Sequence, residues 1–251
     1  MNNNKVYTVY GINSSMSVIN STSCKIRQIV LTKNSNAFKS DKLNQEINRN
    51  HLEGKIKFVD YSKSNKNIGN RSQGVIIEFE YNGIKDTLED LLRNDDENSC
   101  VLILDQLEDP QNLGQIIRTC ECAGVDKIIL TQNRSVKLSD VSLQISQGAF
   151  TNISFYICTN LRSTLELMKN YNYWMVALEN GIEANEWHKV DLKGKVGIIL
   201  GSEGKGIRRL TLDNSDFQAT IPMQGEINSL NVSAACSAIL FERLRQVLAS
   251  K

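Results

Sequence analysis

The sequence predicts an α/β protein: a C-terminal α/β region built on a mainly parallel sheet, preceded by a small N-terminal α/β region of different texture. After residue 99, continuous apolar runs alternate with amphipathic stretches, the signature of strands covered by helices on both faces. Before that point the apolar strings are short and the charge is lopsided. Residues 1–75 carry +8, with twelve Lys/Arg against four acids, residues 76–98 carry −6, and the remainder carries −1. A basic front followed by an acidic stretch marks a boundary between two modules.

Taken in order, the first region holds the strings KIRQIVLT (25–32), KIKFVDY (55–61) and GVIIEFEY (74–81), the last ending like a strand. A helix is expected near 39–50, and the polar stretch 62–73 reads as a loop. IKDTLEDLL (84–92) reads as a short acidic helix and RNDDENS (93–99) as a solvated linker. The expected division is therefore 1–82, an acidic linker at 83–99, and 100–251. Strands follow at 100–105, 127–131, 154–158, 173–179, 196–201 and 217–223, with helices at 112–124, 138–149, 161–170, 204–212 and 229–249.

Several function classes are set aside by composition. A hydrophobic share of 41% supplies a core, and no apolar run approaches the roughly 20 residues that cross a bilayer. The start, MNNNKVYTVYGINSS, has one Lys and no apolar core of signal-peptide length, so a cytoplasmic protein is expected. Six cysteines form no CxxC pair and only His51 and His188 accompany them, so no metal site is expected and the thiols should be reduced and mostly buried. The basic front suits a polyanionic partner, or simply keeps an Asn/Lys-rich sequence in solution.

Ligands of open parallel sheets sit beyond the carboxyl ends of the strands, and three strands here end in unusual loops. In DQLEDPQNLGQIIRT (105–119), Pro110 stops the strand and Asn112 is a candidate N-cap. Ile116, Ile117, Cys120 and Ala123 form the apolar stripe of the following helix. At about 100° per residue, Arg118 faces away from that stripe, where it is free for function or pairs with Glu121. GSEGKGIRR (201–209) places Gly201, Gly204 and Gly206 after a buried strand, which permits close backbone approach to a ligand or merely a tight turn. It lacks GxxxxGK[ST], and GxGxxG would need glycine at Arg209. In IPMQGEINSLNVSAACSAILFERLRQ (221–246), small polar residues open a long helix. Val232, Ala235, Ile239, Leu240, Leu244, Val247 and Leu248 recur on its inward side. Glu242, Arg243 and Arg245 fall on its outer face, where they meet either solvent or an interface.

Together DPQNLGQIIRT, ILGSEGKGIRRL and IPMQGEINSLNVS, in this order and at these strand ends, resemble the three motifs of the SpoU family of RNA ribose methyltransferases, within the knotted SPOUT superfamily. The resemblance spans about Cys100 to Gln246. VYGINSSMSVI and RSQGVII resemble the start and end of the substrate-binding domain found in the rRNA (guanosine-2′-O) subgroup. The sequence departs from the family at Ser72, where His is usual, at Thr151, where Glu is usual, and at Ser154, where Pro is usual.

The resemblance implies a deep trefoil knot, homodimerisation through the C-terminal domain, S-adenosyl-L-methionine as cofactor and RNA as partner, rRNA first and tRNA next. It assigns the methyl-transfer role to Arg118, with Asn112 and Glu203 orienting it and Ser229 and Asn231 holding phosphate or loop. A guanidinium stays protonated, so Arg118 is expected to stabilise the developing alkoxide electrostatically; the family's own proposal is a deprotonated base. Gly201, Ile221 and Leu230, with Ser202, Gly206 and Met223, are the implied cofactor contacts. Lys25, Arg27, Lys55, Lys57 and Arg71 are candidate phosphate contacts. Two rivals differ in class: a nucleotide-dependent transferase using GSEGKG as a phosphate loop, and a non-catalytic RNA-binding protein on the same scaffold.

Overall fold

The computed structural model describes residues 5–60, 72–93, 96–180 and 184–250. In chain order the first elements are β1 (Val6–Tyr10), α1 (Ile12–Ile19), β2 (Cys24–Thr32), α2 (Asp41–Arg49), β3 (Ile56–Val59) and β4 (Val75–Tyr81). Then come β5 (Ile84–Lys85), α3 (Leu88–Leu92), β6 (Cys100–Asp105), α4 (Pro110–Cys122), β7 (Lys127–Thr131), α5 (Asp140–Ile145) and β8 (Ser154–Cys158). The last are α6 (Leu161–Asn170), β9 (Trp174–Leu178), β10 (Asn185–Glu186), β11 (Val196–Gly201), α7 (Arg209–Leu212), β12 (Phe217–Thr220) and α8 (Val232–Ala249).

These elements divide into two compact units, Met1–Gly83 with Leu138–Asn152, and Ile84–Lys137 with Ile153–Lys251. The first holds a four-stranded sheet of order β1-β4-β2-β3. β4 runs antiparallel to β1 and β2, and β3 lies parallel to β2. Along β4, Val75, Ile77 and Phe79 are buried while Ile76 and Glu78 are half-exposed, the two-residue period of a sheet with one covered face. Leu43 and Ile47, four residues apart on α2, are buried, and Ser40 caps that helix by accepting from the Leu43 N–H.

Residues 138–152 group with this sheet rather than with the parallel one. β1 is an edge strand, and its free backbone groups are met by α5 side chains. The Thr8 N–H donates to Asp140 Oδ1 at 3.1 Å. The Tyr10 N–H donates to Gln144 Oε1 at 2.8 Å, and Gln144 Nε2 returns a bond to Tyr10 O at 3.1 Å. An edge satisfied by side chains offers nothing to a foreign strand. Phe150 is fully buried, stacked on Phe79 with ring centroids 5.6 Å apart, and its carbonyl accepts from the Tyr81 hydroxyl at 2.8 Å.

In the second unit eight strands run in the order β10-β12-β9-β11-β6-β7-β8-β5, each parallel to its neighbours. The six strands read from the sequence are all present. β9 and β12 are shorter than expected. Pro222 has no N–H to give a ladder, so the 221–231 segment leaves the sheet. The 83–99 stretch differs from a plain linker. Ile84–Lys85 pairs with β8, and α3 begins at Leu88 and buries Leu88, Leu91 and Leu92.

Three helices are also redrawn. The 138–149 expectation contracts to α5, capped reciprocally by Ser139 and Ser142. The 204–212 expectation contracts to α7, and α8 starts at Val232, not Ser229. On α8 Leu248 is exposed, whereas Glu242 and Arg243 are buried and only Arg245 of that trio faces outward. Arg243 is held by donating to the Asn98 carbonyl.

β6, β7 and β8 step outward on one side of the sheet, while β11 and β9 lie on the other. The order reverses between β6 and β11, which is where the carboxyl ends open a crevice.

Candidate active site

At the end of β11 the chain folds back on itself. The Ser202 N–H donates to Gly206 O at 3.2 Å and the Gly206 N–H to Ser202 O at 3.1 Å. Gly201 is required by this closure: a Cβ there would stand 2.1 Å from the Gly206 carbonyl carbon. Gly206 has φ 66°, and a Cβ on it would meet a Glu179 carboxylate oxygen at 2.5 Å. That carboxylate, one residue beyond β9, accepts from the Ile207 N–H at 2.8 Å. The closed loop is why residues 202–206 do not join a helix.

Beside it lies a cavity of about 530 Å³ walled by residues 178–180, 200–206 and 228–232, with Ile221, Met223 and Ala235. Gly201, Ser202, Gly206, Ile221, Met223 and Leu230, the six expected cofactor contacts, all line it. The wall is mixed, with Leu178, Leu200, Ile221, Met223 and Val232 supplying apolar surface. Its size is that of a pocket for a nucleoside-sized ligand.

The first and third loops reach the cavity through one chain of hydrogen bonds. Asp109, not Asn112, caps α4, accepting from the Gln111 N–H at 2.8 Å, with Pro110 in the first turn. Asn112 lies one turn in and is buried. Its Nδ2 donates to Glu203 Oε1, and its Oδ1 accepts from Asn231 Nδ2 at 3.2 Å. Asn231 caps α8, its Oδ1 accepting from the Ser233 N–H at 2.9 Å. Further along the two helices, the Ser233 hydroxyl donates to Gln115 Oε1 at 2.7 Å, and Thr119 and Ser237 hydroxyls lie 3.2 Å apart. Ser229 lines the cavity without joining this network. Arg118 is exposed on α4, next to Thr119, and outside the cavity lining. It makes no ion pair or hydrogen bond among the described residues, so the pairing with Glu121 does not form.

The sequence profile of the SpoU rRNA methylase family matches residues 99–241. The chain belongs to that family. A Staphylococcus saprophyticus protein named for the TrmH family of tRNA/rRNA methyltransferases is 42% identical over 151 residues. The match covers 60% of this chain, and the chain spans only 60% of that relative's length. The 23S rRNA (guanosine-2′-O-)-methyltransferase RlmB of Pseudomonas aeruginosa is 38% identical over 69% of this chain and 71% of its own. Among solved structures, the SpoU methyltransferase AviRb of Streptomyces viridochromogenes, in complex with AdoMet, superposes with a TM-score of 0.81. It is 17% identical, covering 97% of this chain and 91% of AviRb, and shares the fold.

Two anchors of this SpoU-family site escaped the sequence reading because they look like ordinary strand ends. Asp105 closes β6 and is buried. It accepts from Arg208 Nε at 2.8 Å and from the Thr211 hydroxyl at 2.9 Å, tying α7 to the central strand. An acid ending an otherwise apolar run was the available signal, since a buried carboxylate needs such partners. Beyond β9, the Asn180 amide donates to the Asn228 carbonyl and accepts from the Thr220 hydroxyl at 3.0 Å, holding the third loop over the cavity.

The candidate RNA contacts of this SpoU-family chain are less uniform. Lys25 and Arg27 both pair with the buried Glu80, and Lys55 donates to the Ile26 carbonyl. Lys57 is exposed and carries no ion pair or hydrogen bond among the described residues. Arg71 lies outside those residues. All six cysteines are free, with Cys100, Cys120, Cys158 and Cys236 buried. Burial pushes the Cys100 thiol up to about 11, which leaves it un-ionised and inert. Among the described residues no group of three His, Cys, Asp or Glu side chains is placed to hold a metal, and no helix is long and apolar enough to cross a membrane.

Proposed function

We propose that this chain transfers the methyl group of S-adenosyl-L-methionine to a ribose 2′-hydroxyl of RNA, with a guanosine of large-subunit rRNA as the leading substrate. The observation that carries the reading is the bond chain Glu203–Asn112–Asn231, which ties all three family motifs together at the rim of one nucleoside-sized cavity. The rRNA methyltransferase activity in the name of the RlmB relative supports rRNA. The name of the Staphylococcus relative keeps tRNA as the alternative.

The cavity fits the cofactor on its own chemistry. Leu178, Leu200, Ile221, Met223 and Val232 suit an adenine, and the polar part of the wall suits a ribose and a charged tail. Bound there, the cofactor supplies an electrophilic methyl that needs no further activation. The chain's task is then positioning and charge. Asn112 and Asn231 hold the starts of α4 and α8 in register, and Glu203 fixes the loop between them. Arg118, with no ion pair among the described residues, stabilises negative charge growing on the attacking oxygen and draws in the RNA backbone. Lys57 and the basic front add phosphate contacts.

By the same family likeness the C-terminal segment forms a trefoil knot and two copies associate through α8, whose outward side leaves Phe241 and Leu248 exposed. An RNA substrate is in keeping with a cytoplasmic location, which is part of this proposal. Incubation with labelled cofactor and rRNA from cells lacking the protein tests the proposal. Incorporation at one ribose supports it, tRNA labelling alone moves the substrate, and binding of RNA without any incorporation overturns the activity.

A further inference from the structure

The tripeptide Ser-Gln-Gly occurs twice, at residues 72–74 and 146–148, and both copies make the same backbone turn. Gln73 and Gln147 have φ of 52° and 55°, and Gly74 and Gly148 have 90° and 92°. A left-handed glutamine is uncommon and costly. Each glycine is pressed against a serine: an added Cβ would come within 2.1 Å of Ser35 Cβ at Gly74, and within 2.3 Å of Ser17 Oγ at Gly148.

Both glutamines line a single cavity of about 370 Å³ inside the first unit, together with Tyr10, Asn13 and Ser14. Its polar groups are only partly used. Gln73 Oε1 accepts from the Ile12 N–H at 2.9 Å, leaving its NH2 open. Gln147 Nε2 donates to Gln144 O at 3.3 Å, leaving its carbonyl open. The Asn13 carboxamide and the Ser14 hydroxyl make no hydrogen bond among the described residues, although Ser14 is only 2% exposed. Open to the cavity, these groups are available to the polar edge of a ligand. No Asp, Glu, Lys, Arg or His lines the cavity, which argues against a phosphate, a carboxylate or a metal ion.

We propose that this cavity receives one unstacked nucleobase from a single-stranded stretch of RNA, an inference that rests on the RNA-substrate reading above. A base edge presents donors and acceptors side by side in a plane, and carboxamides match that arrangement. Tyr10, half-buried in the lining, supplies an aromatic ring, the kind of group on which unpaired bases stack. The paired Ser-Gln-Gly turns hold two such carboxamides at one hollow.

The experiment measures binding of the full chain to a short single-stranded RNA and to its duplex, over a range of salt. Ser14→Ala removes a hydroxyl that bonds nothing, and Gln147→Asn shortens the amide while tolerating the left-handed turn; Asn13→Ala is a third, exposed variant. Each is expected to bind the single strand about two- to ten-fold more weakly, with an unchanged unfolding midpoint and unchanged duplex binding. The salt slope should also be unchanged, because no phosphate contact is lost. Wild-type affinity in all three variants, or a loss that flattens the salt slope, would overturn the base site while leaving the RNA-substrate reading intact. A wild-type chain that binds no RNA would overturn both.

Discussion

The polar side chains at the strand ends of the second unit satisfy one another, whereas those around the cavity of the first unit leave groups open. Glu203, Asn112, Asn231 and Ser233 form a continuous chain of bonds, and Asp105 and Glu179 pin the neighbouring turns. In the first unit Asn13 and Ser14 make no such bonds. A network complete before any ligand arrives holds reacting groups in place without reorganisation. Groups left open are suited to reading a ligand's edge. Arg118 is an exception in the second unit: exposed, and without an ion pair or hydrogen bond among the described residues, it is open to the proposed RNA substrate.

The contrast depends first on where residues 138–152 belong. Phe150→Ala, at a fully buried ring between Phe79 and Tyr81, should destabilise the first unit by about 3–5 kcal/mol. Amide exchange on β1 and β4 should rise. Both tryptophans, Trp174 and Trp187, lie in the second unit, so the tryptophan fluorescence transition should hardly move. The reverse pattern would assign the segment to the parallel sheet. The same packing means that deleting residues 1–80 would take Phe79 from beside Phe150 and remove most of the sheet it packs on, so such a truncation is a poor test of RNA binding.

Next comes the exception itself. Arg118→Ala should lower methyl transfer about 10²–10³-fold and leave cofactor affinity, measured by calorimetry, within a few-fold. Parallel loss of cofactor binding would make Arg118 part of the cavity rather than of the transfer step.

A smaller effect is expected where the network meets the closed turn. Gly201→Ala forces a methyl group against the Gly206 carbonyl, an overpacking of about 1–3 kcal/mol. Cofactor affinity should fall about ten-fold or more as the turn opens. Gly225→Ala, with nothing within 4 Å of its added Cβ, is the control and should bind as wild type.

The sheet was legible because its strands are buried on both faces, so runs such as CVLILD and VGIILG admit no polar residue until the strand ends. The three motif loops were legible as glycine, proline and small polar residues at those ends. The helix expected at 204–212 survives only as its last turn, α7, because periodicity cannot register the backbone bonds between Ser202 and Gly206 that use up its start. Nor could chain order reveal that Asp140 and Gln144 cap an edge strand more than a hundred residues earlier. Asp105 and Glu179 read as strand termini because their partners, Arg208 and the Ile207 N–H, come from a turn whose shape is itself tertiary. Fold class follows local pattern, while the anchoring of a site follows contacts that local pattern does not encode.

The smallest predicted effect lies on α8, where the second unit's habit of satisfying its own charges reaches the surface. Arg245 donates two bonds of 2.8 Å to Glu242, and Gln246 Nε2 adds a third. The Arg245 bonds, ahead of burial acting the other way, hold the Glu242 carboxyl below its ordinary range. A carboxylate whose folded pKa is depressed stabilises the fold above its unfolded value, near 4.3, and that contribution disappears as pH falls through the folded value. Because Arg245 is largely exposed, solvent screens most of the pairing. Glu242→Gln should therefore lower Tm by only about 1–2 °C at neutral pH, with the difference vanishing in acid below the folded value. A difference that persists unchanged into strong acid would mean that Glu242 acts through packing against its buried surroundings, and that the charge network ends short of this helix.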